Sequence, residues 1–118
     1  MTLSRPEQQF LDAWLEHAPE DSAPMSQYKI EGIGGAFDFA WPLCMIAVEI
    51  YGYGAGGMGG GHQRPGRQAA DAAKIRAATA LGWTVVPITS TCLGSREKRE
   101  DLVHEVLTII GAKGTWDG

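Results

Sequence analysis

An α/β fold of the order α-β-β-β-α-β-α, a mixed sheet with helices packed on it, is what this 118-residue sequence predicts. Three observations carry that reading: a capped helix near the start, two adjacent β-rich runs joined at Pro42-Leu43, and a strand-helix-strand unit that should place its strands parallel. The length suits one domain with one core.

Ser4-Arg-Pro-Glu7 fits a capping box, with Ser4 as N-cap and Glu7 three residues inside the helix. Phe10, Leu11, Trp14 and Leu15 follow at helical spacing, and the helix should end before Pro19. Glu20 to Pro24 reads as a loop and Met25 to Glu31 as a strand, which Gly34-Gly35 breaks. Ala36 to Trp41 and Cys44 to Tyr51 are β-rich and predict a hairpin. Gly52 to Gly61 holds seven glycines and no charge. A flap closing over DNA and a disordered loop both fit that composition. Gln68 to Leu81 is alanine-rich and predicts a helix stopped by Gly82, and Trp83 to Thr89 is a short apolar strand. Ser95 caps a last helix whose apolar stripe is Leu102, Val103, Val106, Leu107 and Ile110.

Composition narrows the function classes. Two cysteines make no disulfide framework, and no Cys/His spacing suggests zinc. The longest hydrophobic run, Leu43 to Val48, is too short to cross a bilayer, so a cytoplasmic protein with no membrane partner is expected. No GxxxxGK[ST] or GxGxxG opens a helix, which excludes a P-loop. The net charge of −4 works against nonspecific binding of nucleic acid, which rests on neutralising phosphates. Its distribution matters more: Arg64, Arg67, Lys74 and Arg76 fall in one segment, and Arg96, Lys98 and Arg99 open the last helix.

The hairpin supplies the clue to chemistry. If Asp38 opposes Glu49, then Phe37, Phe39 and Trp41 lie on one face against Ile50, Val48 and Ile46, while Asp38, Ala40, Ala47, Glu49 and Tyr51 lie on the other. A slip of one residue would mix large apolar side chains with carboxylates on both faces. In this register two acids sit side by side, a repulsion of roughly 0.2–1 kcal/mol that a cation between them would remove. Carboxylates with water are the ligand set Mg²⁺ prefers, and such an ion can polarise a phosphodiester and activate a water. Metal-assisted phosphodiester hydrolysis is one expectation. Two acids on a solvated sheet face, with no metal, is the other.

Gly35-Ala-Phe-Asp-Phe-Ala-Trp-Pro42, Ala47-Val-Glu-Ile50, Gly61-His-Gln-Arg64, Asp71-Ala-Ala-Lys74 and Leu81-Gly-Trp83, taken in this order, resemble the small phage and bacterial endonuclease-like members of the PD-(D/E)xK superfamily. That superfamily includes relatives of restriction enzymes, very short patch repair endonucleases and Holliday junction resolvases. The resemblance runs from Ser4 to Thr89 and implies a restriction endonuclease-like αβββαβ core. It further implies an Mg²⁺-dependent endonuclease, with Mn²⁺ able to substitute, acting on DNA, including branched or damaged duplexes, and working as a homodimer where two scissile phosphates need two sites.

Carried over by position, Asp38 resembles the aspartate of the first motif and Glu49 the acid of the second, both metal ligands. Glu7 resembles a further metal-site acid on the first helix, although a capping box needs nothing beyond its local backbone. Lys74 resembles a lysine that orients water or stabilises phosphate charge, and a pair with Asp71 is the bland alternative. His62 could serve as a general base or phosphate contact, and Arg64, Arg67 and Arg76 as nucleic-acid contacts, against ordinary solvated loop and helix charges. Tyr51 departs from the pattern by standing where the motif has lysine. Either Lys74 takes over, or the chain is a weak or inactive nuclease-fold module that binds nucleic acid or a protein partner.

Overall fold

The capping box forms as the sequence predicts. Ser4 Oγ accepts from the Glu7 backbone N–H at 3.3 Å, and Glu7 Oε1 accepts from the Ser4 N–H at 2.7 Å. These bonds start α1, Arg5–His17, which closes where the Ala18 N–H bonds to Trp14 O ahead of Pro19. The computed structural model describes residues 3–51 and 65–113, with the backbone alone for 65–71 and 113.

The elements then run β1 Met25–Tyr28, β2 Phe37–Trp41, β3 Ile46–Tyr51, α2 Pro65–Ala80, β4 Thr84–Thr89 and α3 Arg96–Lys113. This is the predicted order, in an α+β fold. The first predicted strand is shorter than expected and α2 begins three residues earlier. Glu20–Ser22, read as loop, is a 3₁₀ turn. Gly82 ends α2 in left-handed backbone at φ +94°, and the Trp83 N–H returns to Ala78 O, the motif for which a glycine stop is favoured.

The sheet has the order β1-β2-β3-β4, antiparallel at the first two pairings and parallel between β3 and β4. Phe39 pairs with Val48, Ala40 with Ala47 and Trp41 with Ile46, which is the register that sets Asp38 opposite Glu49.

Large side chains fill one face. Phe10 and Trp14 of α1 and Val103, Val106 and Ile110 of α3 pack on Phe39, Trp41, Ile46, Val48 and Ile88. Phe10 and Phe39 lie 5.3 Å apart by ring centroids, and Trp14 and Trp41 4.7 Å. Both indole N–H groups donate to Ser22 O, at 2.9 and 2.7 Å. The 3₁₀ turn thus satisfies two buried donors, each of which would cost about 1–3 kcal/mol if left unpaired.

The opposite face is built from small residues. Ala78 of α2 meets Ala40 and Ala47, all fully buried, with Ile30, Phe37 and Trp83 around them. Phe37 here corrects the sequence reading, which placed it with Phe39 and Trp41. Its ring lies in the alanine cluster instead, and so does Tyr28, its partner on β1. Between the Ser26–Phe39 and Tyr28–Phe37 rungs the backbone of Gln27 turns left-handed at φ +50°. Strict alternation therefore fails at the rung that carries Asp38.

Candidate active site

Four residues singled out from the sequence, Glu7, Asp38, Glu49 and Lys74, meet around this irregular rung, each delivered by a different element. Hydrogen-bonded pairing of β2 with β3 reaches the Phe39–Val48 rung. One residue beyond, Asp38 Oδ2 accepts the Ile50 N–H at 2.7 Å, so a carboxylate oxygen takes a backbone donor beside the end of the ladder.

Glu49 is buried on the α2 side. Lys74 Nζ donates to its Oε2 at 2.5 Å and to Ala36 O at 2.8 Å, and sits 4.7 Å from the centroid of the Phe37 ring. The Lys74 side chain is only 12% exposed and that of Glu49 9%, so both charges are largely desolvated. Such a pair is held by mutual attraction and costly to break from one side. The alternative partner for Lys74, Asp71, has a side chain outside the described residues. The small residues of this face explain the reach: alanines let α2 lie close to the sheet, and a Cβ added at Gly35 would come within 3.4 Å of Lys74 Cδ.

Asp38 faces a different helix, bonding to Glu7 of α1. This corrects the expectation that Asp38 and Glu49 share one face of the sheet: they oppose each other in register, but the break in alternation at this rung gives them different partners. Burial pushes its carboxyl up to about 7, helped by a hydrogen bond with Glu7 and by the negative charges of Glu49 and Glu7, against the pull of the Ile50 N–H. Glu7 shifts the other way. Burial raises it, but hydrogen bonds from the Asp38 carboxyl, from the backbone and hydroxyl of Ser4, and from Gln27 outweigh that and hold it below the ordinary glutamate value. Below about pH 7 Asp38 therefore holds a proton, which its hydrogen bond to Glu7 shares. Glu7 caps its helix and at the same time bonds to Asp38.

The donor set suits a hard cation, since carboxylate oxygens are what Mg²⁺ and Mn²⁺ prefer. Among the described residues no group of three or more His, Cys, Asp or Glu is gathered closely enough to form a ready cage. Mg²⁺ does not require one, because it is commonly bound by one or two carboxylates, with water and substrate phosphate supplying the rest.

Beside Lys74 a groove of about 530 Å³ opens between Gly32 to Gly35 on one wall and Ala73, Lys74 and Ala77 of α2 on the other. Arg76 is exposed on α2. His62 and Arg64 lie outside the described residues, as does the Arg67 side chain, and the glycine-rich run lies there too. Of the basic residues opening α3, Arg96 pairs with Glu16 at 2.6 Å and Arg99 donates to Leu93 O at 2.8 Å. Tyr51 ends β3 in parallel register with Thr89.

The fold is similar to that of a solved homing endonuclease catalytic domain, I-Bth0305I. The TM-score is 0.65 at 18% identity, covering 92% of this chain and 98% of that one. No protein-family model matches the sequence, and no curated protein matches it. No helix among the described residues is long and apolar enough to cross a membrane.

Sequence reasoning missed three participants. Gln27 lies in a strand with no motif around it, and nothing in its neighbours signals left-handed backbone. Phe37 was counted as plain core, although its ring lies beside the Lys74 ammonium. The Ile50 N–H could not be anticipated, because strand pairing ordinarily takes up such a donor.

Proposed function

We propose that this chain is a metal-dependent endonuclease of the PD-(D/E)xK kind that hydrolyses DNA phosphodiester bonds, with Asp38 and Glu49 holding Mg²⁺, or Mn²⁺ in its place. The observation that carries this reading is the placing of two carboxylate pairs on neighbouring strands: Asp38 bonded to Glu7 of α1, and beside it the buried Glu49–Lys74 pair against α2, with the charge of Glu49 felt at Asp38. Likeness of fold to a homing endonuclease catalytic domain supports it.

When bound, the cation would supply Lewis acidity toward a phosphate oxygen and a more acidic water. The chain's own residues do the rest. Asp38 gives up its proton and offers an oxygen, while its other contact, the Ile50 N–H, fixes the plane of the carboxylate. Glu7 stays ionised beside it, and the proton that Asp38 releases passes to solvent. Lys74 approaches Glu49 from α2, on the face that alternation assigns to residue 51, where the motif expects its lysine. There its ammonium can orient a water or offset charge building on the phosphate.

The test is nicking of supercoiled plasmid in Mg²⁺ or Mn²⁺ by the wild type and by Asp38→Asn, which keeps the shape and removes the charge. Loss of nicking to background in the variant, with the fold intact by circular dichroism, is the expected result. Equal rates with and without chelator would overturn the metal reading.

A second reading, a nuclease-fold module that binds nucleic acid or a protein without cutting, draws on Tyr51 standing in the lysine position and on the net charge of −4. It predicts DNA retention in a gel shift with no nicking at any metal concentration.

A further inference from the structure

We infer that Gln27 is a positioning residue of this site, setting the Glu7 carboxylate against Asp38. The inference rests on the nuclease reading above and adds to it a residue that no motif contains.

Two observations bear on Gln27 independently. The pairings Ser26–Phe39 and Tyr28–Phe37 place it opposite Asp38, and at that rung its φ is +50°. Left-handed backbone costs a residue with a Cβ, and among non-glycine types asparagine and aspartate bear it best. If the fold needed only the turn, glycine would serve better. A glutamine held there points to use of its side chain, since strain of this kind persists where the surroundings over-determine it.

The side chain is in use: Gln27 Nε2 donates to Glu7 Oε2 at 3.3 Å, while Glu7 Oε1 accepts the Ser4 N–H at 2.7 Å. One oxygen of Glu7 is tied to its own helix cap and the other to β1, so the carboxylate plane is fixed where it meets the Asp38 carboxyl. The left-handed turn has a second effect. β2 exchanges faces across this rung, since Phe39 packs with α1 and α3 whereas Phe37, with Tyr28 beside it on β1, packs in the alanine cluster. The acid thus sits where the sheet changes face, within reach of Glu7 on one helix and under the influence of Glu49 on the other side.

The experiment compares wild type with Gln27→Gly, Gln27→Asn, Glu7→Gln and the double variant Glu7→Gln/Gln27→Gly, measuring kcat and KM for plasmid nicking, Mn²⁺ affinity by calorimetry, and thermal melting. Gln27→Gly relieves the backbone and removes the amide. It should melt no lower than wild type, yet lose about tenfold in kcat or Mn²⁺ affinity, the scale seen when residues supporting a metal ligand are removed, with KM within about twofold. Gln27→Asn, which keeps an amide and tolerates the turn, should recover part of the loss. The double variant should be no worse than Glu7→Gln alone. The inference is overturned if Gln27→Gly keeps both kcat and Mn²⁺ affinity within about twofold of wild type, or if its loss adds in full to that of Glu7→Gln. A wild type that binds Mn²⁺ without nicking leaves the affinity series to decide. One that neither binds nor nicks removes the nuclease reading, and this inference with it.

Discussion

The two faces of the sheet are built to opposite rules. Against α1 and α3 lie stacked aromatic and branched side chains, with two indole donors satisfied at one carbonyl. Against α2 lie alanines, and at their margin a buried lysine-glutamate pair that no apolar surface needs. The first face gains its free energy from volume and area removed from water. The second gives up volume so that a helix can approach closely enough to set an ammonium on a strand carboxylate. The acids stand at the boundary between them, at the rung where β2 changes face.

Four changes would break or sharpen that contrast, the largest first. Phe10→Ala, on the aromatic face, should cost about 3–5 kcal/mol in denaturant unfolding, because a fully buried ring leaves a cavity. Where the variant is still folded, its Mn²⁺ affinity should match wild type. If that affinity falls too, the two faces are not separable. Lys74→Met strands Glu49 in a dry environment and should cost about 3 kcal/mol by the same measurement. Unlike Phe10→Ala, it should also abolish nicking. Retained nicking would mean that Lys74 serves structure alone.

Ala47→Leu overfills the alanine face where Ala40, Ala47 and Ala78 are fully buried, for about 1–3 kcal/mol. Its informative readout is nicking rate, which should fall as α2 is displaced and Lys74 is drawn away from Glu49. A stable variant with full activity would show that close packing of α2 is not what brings the lysine in.

The smallest effect is in pH. Asp38, raised from 3.8 to about 7 in the folded chain, contributes stability that is complete below its unfolded value and is lost as pH climbs through the folded one. Glu7, lowered in the fold, contributes above its ordinary 4.5 and loses that contribution as the solution becomes more acidic. Metal-free wild type should therefore weaken modestly between about pH 4 and pH 7 relative to Asp38→Asn, and chemical denaturation across that range would measure the gap. Parallel pH curves for the two proteins would show that Asp38 carries no proton into the neutral range.

The amino-acid sequence by itself determined most of the scaffold, because its signals are local. A capping box, a glycine stop, helical spacing in α1 and α3, and apolar alternation from Phe39 to Ile50 depend on neighbours a few residues apart. The Asp38–Glu49 register followed from the same alternation, since only one register keeps carboxylates off the apolar face. What the tertiary structure alone decided is how side chains from distant segments meet. That Glu7 both caps its helix and touches Asp38, that Lys74 chooses Glu49 across 25 residues, and that Phe37 leaves its alternation all depend on packing and on one left-handed residue at Gln27. Such a turn in a non-glycine residue is disfavoured locally and exists only because the surrounding fold outweighs its cost, so no pattern in the neighbouring residues could announce it.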